Sequence, residues 1–172
     1  MRILAIDPSG SFKHGSGTSG WCVVDAETGK IIGLGNIKAK DFDTREQYFS
    51  KHKSIAKLYD HDVLVIENFI LYQSTAHSLF NQELETSELI GVICDFEEEQ
   101  GKKIVRQKAQ QIKSVLKKNN VLLSLVNKTE DRLTFKTTKA DRVQWFFEGI
   151  RISNHIVDAI RHAYYYLNQE KK

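Results

Sequence analysis

The sequence predicts an α/β fold, a mixed sheet of five strands that includes an antiparallel hairpin and carries helices on both faces. Three observations predict it. A short apolar run opens the chain and stops at the turn formers Asp7, Pro8, Ser9 and Gly10. A second apolar run, Val63 to Ile66, follows a stretch of helical periodicity, the order expected of a strand lying parallel to the first. There is a single proline and no repeat or low-complexity tract, so residues 1–172 read as one domain.

Each element follows from its local pattern. Residues 2–6 are an apolar run bounded by a turn, which suits a strand buried on both faces. Residues 20–25, GWCVVD, form a second strand, and Ala26, Glu27, Thr28 and Gly29 turn it into a third over 30–37, which completes the hairpin. Apolar positions at Tyr48, Phe49, Ile55, Ala56 and Tyr59 predict a helix over 44–59 with Thr44 as its N-cap. Val63 to Ile66 is a central strand ending at Glu67. A long helix follows over 78–100, with Leu89, Val92, Ile93 and Phe96 on one stripe and Gly101 as its stop. A last short strand is expected over 103–105, a basic helix over 109–118, loop over 119–136, and helices over 138–147 and 154–168.

Composition excludes several classes of function. With 41% hydrophobic and 27% charged residues the chain can bury a core and does not have the composition of a disordered polyelectrolyte. The opening apolar run is too short for a secretory leader, and no later run is long enough to cross a bilayer. Cys22 and Cys94 are far apart and lack the spacing of zinc or redox motifs, so a reduced, cytoplasmic protein is expected. The net charge of +3 hides an uneven distribution, because residues 102–142 carry twelve Lys or Arg against three acids. Such an excess is the footprint of a polyanion-binding surface, and equally of a solubilising face. Lys108 and Lys117 lie within it as candidate phosphate contacts.

Chemistry is concentrated in a few carboxylates. The apolar strands ILAI and LVI end in Asp7 and Glu67, and side by side in parallel they place both acids at one sheet edge, where open α/β sheets bind ligands. Asp158 lies in the final helix beside the apolar stripe Ile156, Ile160, Ala163 and Leu167, where an ionised carboxylate is costly without compensation. His155, Asp158 and His162 share one helix face by spacing. Oxygen donors converging with an imidazole suit hard divalent metals, chiefly Mg2+ with Mn2+ as substitute, and such ions serve phosphodiester hydrolysis. Taken singly, each acid has a plainer reading as a turn former or a solvated helix residue, and His162, a full turn beyond Asp158, reads as a surface or packing residue.

Together, RILAIDPSG, TSGWCVVD, LVIENF and HIVDAIRHA resemble, in order and spacing, the RuvC-type resolvases that cut four-way DNA junctions. The resemblance spans nearly the whole chain. It implies a ribonuclease H-like fold, a homodimer, branched DNA as substrate, and metal binding by four positions that fall on Asp7, Glu67, His155 and Asp158. At His155 many family members have an acid; an imidazole there can ligate a metal or move a proton. AQQIKSVL resembles the family segment with a DNA-contacting lysine, which lands on Lys113, and TTKADRV places a second on Lys139. The family also stacks an aromatic side chain on junction bases from the loop after the second acid, where Phe69 and Tyr72 are candidates; core packing is an equal reading of Phe69. The polar stretch 119–137 is longer than the glycine-bearing turn of some members, and the lysine and asparagine content fits a bacteriophage branch-cutting enzyme as well as a cellular one.

Three other functions compete. One is a junction-binding module that does not cut, against which stands the intact set of Asp7, Glu67 and Asp158. Another is a nuclease acting on RNA/DNA hybrids. The third is an ATP-using enzyme of the actin and sugar-kinase class, because SGSFKHGSGTSG resembles a phosphate cradle. That class requires two large domains and a second glycine-rich loop, so no nucleotide cofactor is expected.

Overall fold

The computed structural model describes residues 1–69, 76–110, 112, 130–139 and 142–170, and over 76–83 the backbone alone. Its elements in chain order are β1 (Arg2–Asp7), β2 (Thr18–Asp25), β3 (Ile31–Lys38), α1 (Arg45–Leu58), β4 (Val63–Asn68), α2 (Ala76–Glu99), β5 (Lys103–Lys108), β6 (Leu133–Thr137), β7 (Val143–Phe147), β8 (Ile150–Ile152) and α3 (Asn154–Glu170). The main sheet has the order β3-β2-β1-β4-β5. β2 is antiparallel to both β1 and β3, whereas β4 is parallel to both β1 and β5. This is the mixed five-stranded sheet that the sequence predicts.

Two-residue periodicity divides the core between the two faces of that sheet. Ile3, Ala5, Cys22, Val24, Val63 and Val65 pack beneath α3 against Ile156, Val157, Ile160 and Ala163. Leu4, Ile6, Val23, Leu64 and Ile66 pack on the other side with Tyr48 and Ile55 of α1 and Leu89 and Ile93 of α2. Burial on both faces is why β1 and β4 are continuous apolar runs rather than alternating ones. The same parity fixes the strand ends: Asp7 continues the side of Ile3 and Ala5, and Glu67 the side of Val63 and Val65. Both acids are therefore delivered to the face that α3 covers.

Local signals set the helix limits. Thr44 caps α1 in a capping box, its hydroxyl accepting from Gln47 N while the Gln47 side chain accepts from the Thr44 backbone. Gly101, with φ +68°, ends the turn after α2 in a conformation that suits glycine. The cysteines are buried and free. No helix among the described residues is long and apolar enough to cross a membrane.

Between β5 and α3 the structure departs from expectation. The helix expected over 138–147 and the last part of the loop expected over 119–136 are instead β6 and β7, which join β8 in a three-stranded antiparallel sheet. Val143, Trp145 and Phe147 alternate toward the core while Gln144 and Phe146 face outward, a strand pattern with β-branched and aromatic residues. Glu148 and Gly149 both take positive φ, 50° and 79°, in the two-residue hairpin turn that matches strand twist. The small sheet packs Leu133, Trp145 and Ile152 into the core beneath α3. It is pinned to the edge of β3 by Glu130, which accepts from Ile31 N at 2.8 Å, and by Arg132, which donates to Ile31 O at 2.7 Å. Most of the basic helix expected over 109–118 lies outside the described residues.

Candidate active site

The start of α3 is held directly over the end of β1. Ser153 caps the helix, accepting from Ile156 N at 3.2 Å and donating to Asn36 of β3 at 2.7 Å. Gly20 is the register partner of Asp7 on β2. A Cβ at Gly20 would stand 2.1 Å from the carbonyl carbon of His155, so only glycine lets the helix come this close. The approach brings His155 Nδ1 to Asp7 Oδ2 at 2.8 Å. Sequence reasoning did not single out Gly20; its signal is a glycine inside a buried strand, which marks close approach of another backbone.

The loop leaving Asp7 is clamped by a buried network. His52 Nδ1 donates to Tyr48 O at 2.9 Å, so its Nε2 accepts from the Ser19 hydroxyl at 2.9 Å. Ser19 in turn accepts from Ser9 N at 3.0 Å, and the Tyr48 hydroxyl donates to Ser9 O. Burial pushes His52 down to about 4, opposed by its backbone hydrogen bond, which keeps it neutral. Further on, Gly10 N donates to Thr86 Oγ1 at 2.9 Å, and Glu85 Oε2 accepts from Phe12 N at 2.9 Å and Lys13 N at 3.4 Å. The backbone donors that read as a phosphate cradle are thus turned to a carboxylate of α2.

Each predicted acid leans on a cationic or polar partner. Asp7 is paired with His155, Asp158 Oδ1 accepts from Arg161 at 2.7 Å, and Glu67 Oε2 meets His162 Nε2 at 3.1 Å. The three carboxylates nevertheless share one electrostatic field. The carboxyl of Asp7 is raised by burial, with the charges of Glu67 and Asp158 adding to the rise against the hydrogen bond and charge of His155. His155 is raised by its bond to Asp7, against some burial, and by the charges of Asp7, Asp158 and Glu67. Neighbouring negative charge contributes to both shifts, after burial for Asp7 and after the Asp7 hydrogen bond for His155. Among the described residues no three His, Cys, Asp or Glu side chains form a ready-made metal cluster. The donor set still fits a hard divalent cation, since the carboxylates of Asp7, Glu67 and Asp158 and the imidazole of His155 lie within one electrostatic field at one sheet edge. A metal taken up there would displace a proton or an internal cation.

The other predicted residues are less gathered. Lys108 is exposed at the end of β5, opposite Asn68, and Lys139 is exposed after β6. Phe69 is half-buried against the core on the α1 and α2 side. Lys113, Lys117 and Tyr72 lie outside the described residues. His162 is the residue most undervalued by the sequence: it is 2% exposed and bridges Glu67 and Gln107.

No protein-family model and no curated protein sequence matches the chain. Its backbone superposes on Thermus thermophilus RuvC in complex with a Holliday junction substrate with a TM-score of 0.67, covering 99% of this chain and 96% of that one at 13% identity. The fold is that of RuvC. A second Thermus thermophilus RuvC structure gives a TM-score of 0.66 at 12% identity, with the same 99% and 96% coverage. The large terminase nuclease of thermophilic phage G20c with bound magnesium matches at a TM-score of 0.46 and 16% identity, covering 95% of this chain and 81% of that one. The motifs that carry the resemblance fall on β1, β2, β4 and α3 of this fold.

Proposed function

We propose that the chain is a single-domain, metal-dependent endonuclease that cuts branched DNA, Holliday junctions foremost, as a homodimer. The observation that carries the reading is that Asp7 and Glu67 end adjacent parallel strands on the face where α3 sets His155 against Asp7, with Asp158 three residues further along that helix, in a RuvC fold. Fold likeness supports the nuclease class, and the acid set supports hydrolysis over mere binding.

Asp7, Glu67 and Asp158 would hold Mg2+, or Mn2+ in its place, with His155 acting either as a further ligand or as a proton shuttle. When bound, the metal supplies Lewis-acid stabilisation of charge developing on the phosphate. As a shuttle, His155, its imidazole 44% exposed and bonded to Asp7, would carry a proton between the buried carboxylate and the cleft. Lys108, Lys113, Lys117 and Lys139 contact phosphates, and Phe69 or Tyr72 stacks on a base. Gly91 on α2, where among the described residues no side chain or other element comes within 4 Å of where a Cβ would stand, leaves room for a second copy to approach α2.

The test is a panel of labelled immobile four-way junction, replication fork, linear duplex and RNA/DNA hybrid, each with Mg2+, Mn2+ or chelator. Paired nicks in the junction that need metal are expected. Cleavage of the hybrid alone contradicts the substrate assignment, and tight junction binding without cleavage in any metal moves the protein to a binding role.

A further inference from the structure

His162 is almost fully buried, one helical turn inward of Asp158, where an imidazole is costly unless both ring nitrogens are satisfied. Both are. Nε2 lies 3.1 Å from Glu67 Oε2, and Nδ1 lies 2.9 Å from the Gln107 side-chain amide. Gln107 is itself 5% exposed and is the β5 register partner of Glu67, so the two side chains project to the same side of adjacent strands, beneath α3. A carboxylate only accepts, so Nε2 must carry the proton. The Gln107 amide, which can offer either its oxygen or its NH2, then fixes the ring from the other side. The contrast with His155 is one of freedom: His155 is half exposed on Asp7, whereas His162 is locked between strand and helix.

A buried N–H on Oε2 orients the Glu67 carboxylate and competes with capture of both its oxygens by one metal ion. Mg2+ and Mn2+ sites are small and six-coordinate, whereas Ca2+ accepts larger coordination numbers and often both oxygens of one carboxylate. We propose that His162, oriented by Gln107, is a positioning residue that holds Glu67 by Oε2 and biases the candidate site toward small six-coordinate divalent cations over Ca2+. The proposal rests on Glu67 being a metal ligand, as argued above.

The experiment is calorimetric titration of the DNA-free full chain with Mg2+, Mn2+ and Ca2+, on wild type, His162→Leu, His162→Gln, Gln107→Leu and Glu67→Gln, with circular dichroism as a fold control. His162→Leu is expected to weaken Mg2+ binding by about 10- to 100-fold, to weaken Ca2+ binding less, and so to narrow the preference between them. His162→Gln, which retains an N–H donor, should recover part of that preference. Equal losses for both ions, or no loss, overturn the proposal. If His162→Leu does not fold, Gln107→Leu is judged by the same criteria. The two readings fail separately: Glu67→Gln binding Mg2+ like wild type removes Glu67 as a ligand, whereas loss in Glu67→Gln with none in His162→Leu removes only the positioning role.

Discussion

At the scale of single residues, small and buried side chains decide where the reactive ones stand. Gly20 has no chemistry, yet a methyl group there meets the backbone of His155. Gly20→Ala must push α3 off the sheet, a cost on the order of 1–3 kcal/mol for overpacking. It should lower Tm and separate His155 from Asp7, which loss of junction cleavage in a still-folded variant would register. His52 has a different signature. Its unfolded value is 6.5 and its folded value about 4, so stability is full above pH 6.5. As pH falls from 6.5 toward 4 the unfolded chain takes up a proton that the folded one refuses, and stability drops by on the order of 3 kcal/mol. A Tm profile from pH 7.5 to 4 should show this fall, and His52→Gln should start lower and lose less. An identical acid limb in the variant would assign the loss to other groups.

At the scale of elements, legibility tracks burial on two faces. β1, β4 and α3 were readable because their apolar patterns answer to the sheet core itself. The strand of Lys103–Lys108 is longer than its apolar part, since Arg106, Gln107 and Lys108 continue the ladder beside Ile66, Glu67 and Asn68 without an apolar signature. β6 and β7 were misread as loop and helix because Lys136, Thr137, Thr138 and Lys139 blur the alternation, and because Glu148 adopts positive φ where glycine or asparagine is the usual sign. Trp145, 3% exposed, is what anchors the small sheet under α3. Trp145→Ala should cost about 3–5 kcal/mol, read as a shift in the urea midpoint. A change within about 0.5 kcal/mol, the range of ordinary surface substitutions, would mean that the small sheet does not contribute to the core.

At the scale of the whole molecule, the site is an outcome of topology. Parallel pairing of β1 and β4 sets Asp7 and Glu67 side by side, their odd-numbered parity turns them to one face, and α3 returns across that face with His155 and Asp158. Asp7 and Glu67 stand out in the sequence because each ends an apolar strand and Asp158 because it lies beside an apolar stripe, whereas His155 enters as a metal position through the family resemblance. The sequence could not show that His162 belongs with them, because a histidine one turn further along a helix reads as packing until its partner strand, β5, is in place. The basic stretch, by contrast, could be counted but not placed, with only Lys108 and Lys139 of its candidate contacts among the described residues. The proposed hydrolysis of branched DNA by the carboxylates at this sheet edge is tested most directly by Asp7→Asn. Asp7→Asn removes one proposed metal ligand and one negative charge while keeping the side chain's size, so cleavage of a four-way junction in Mg2+ should fall to the level seen with chelator, with junction binding retained or tightened. Paired nicking by the variant at the wild-type rate would contradict the account.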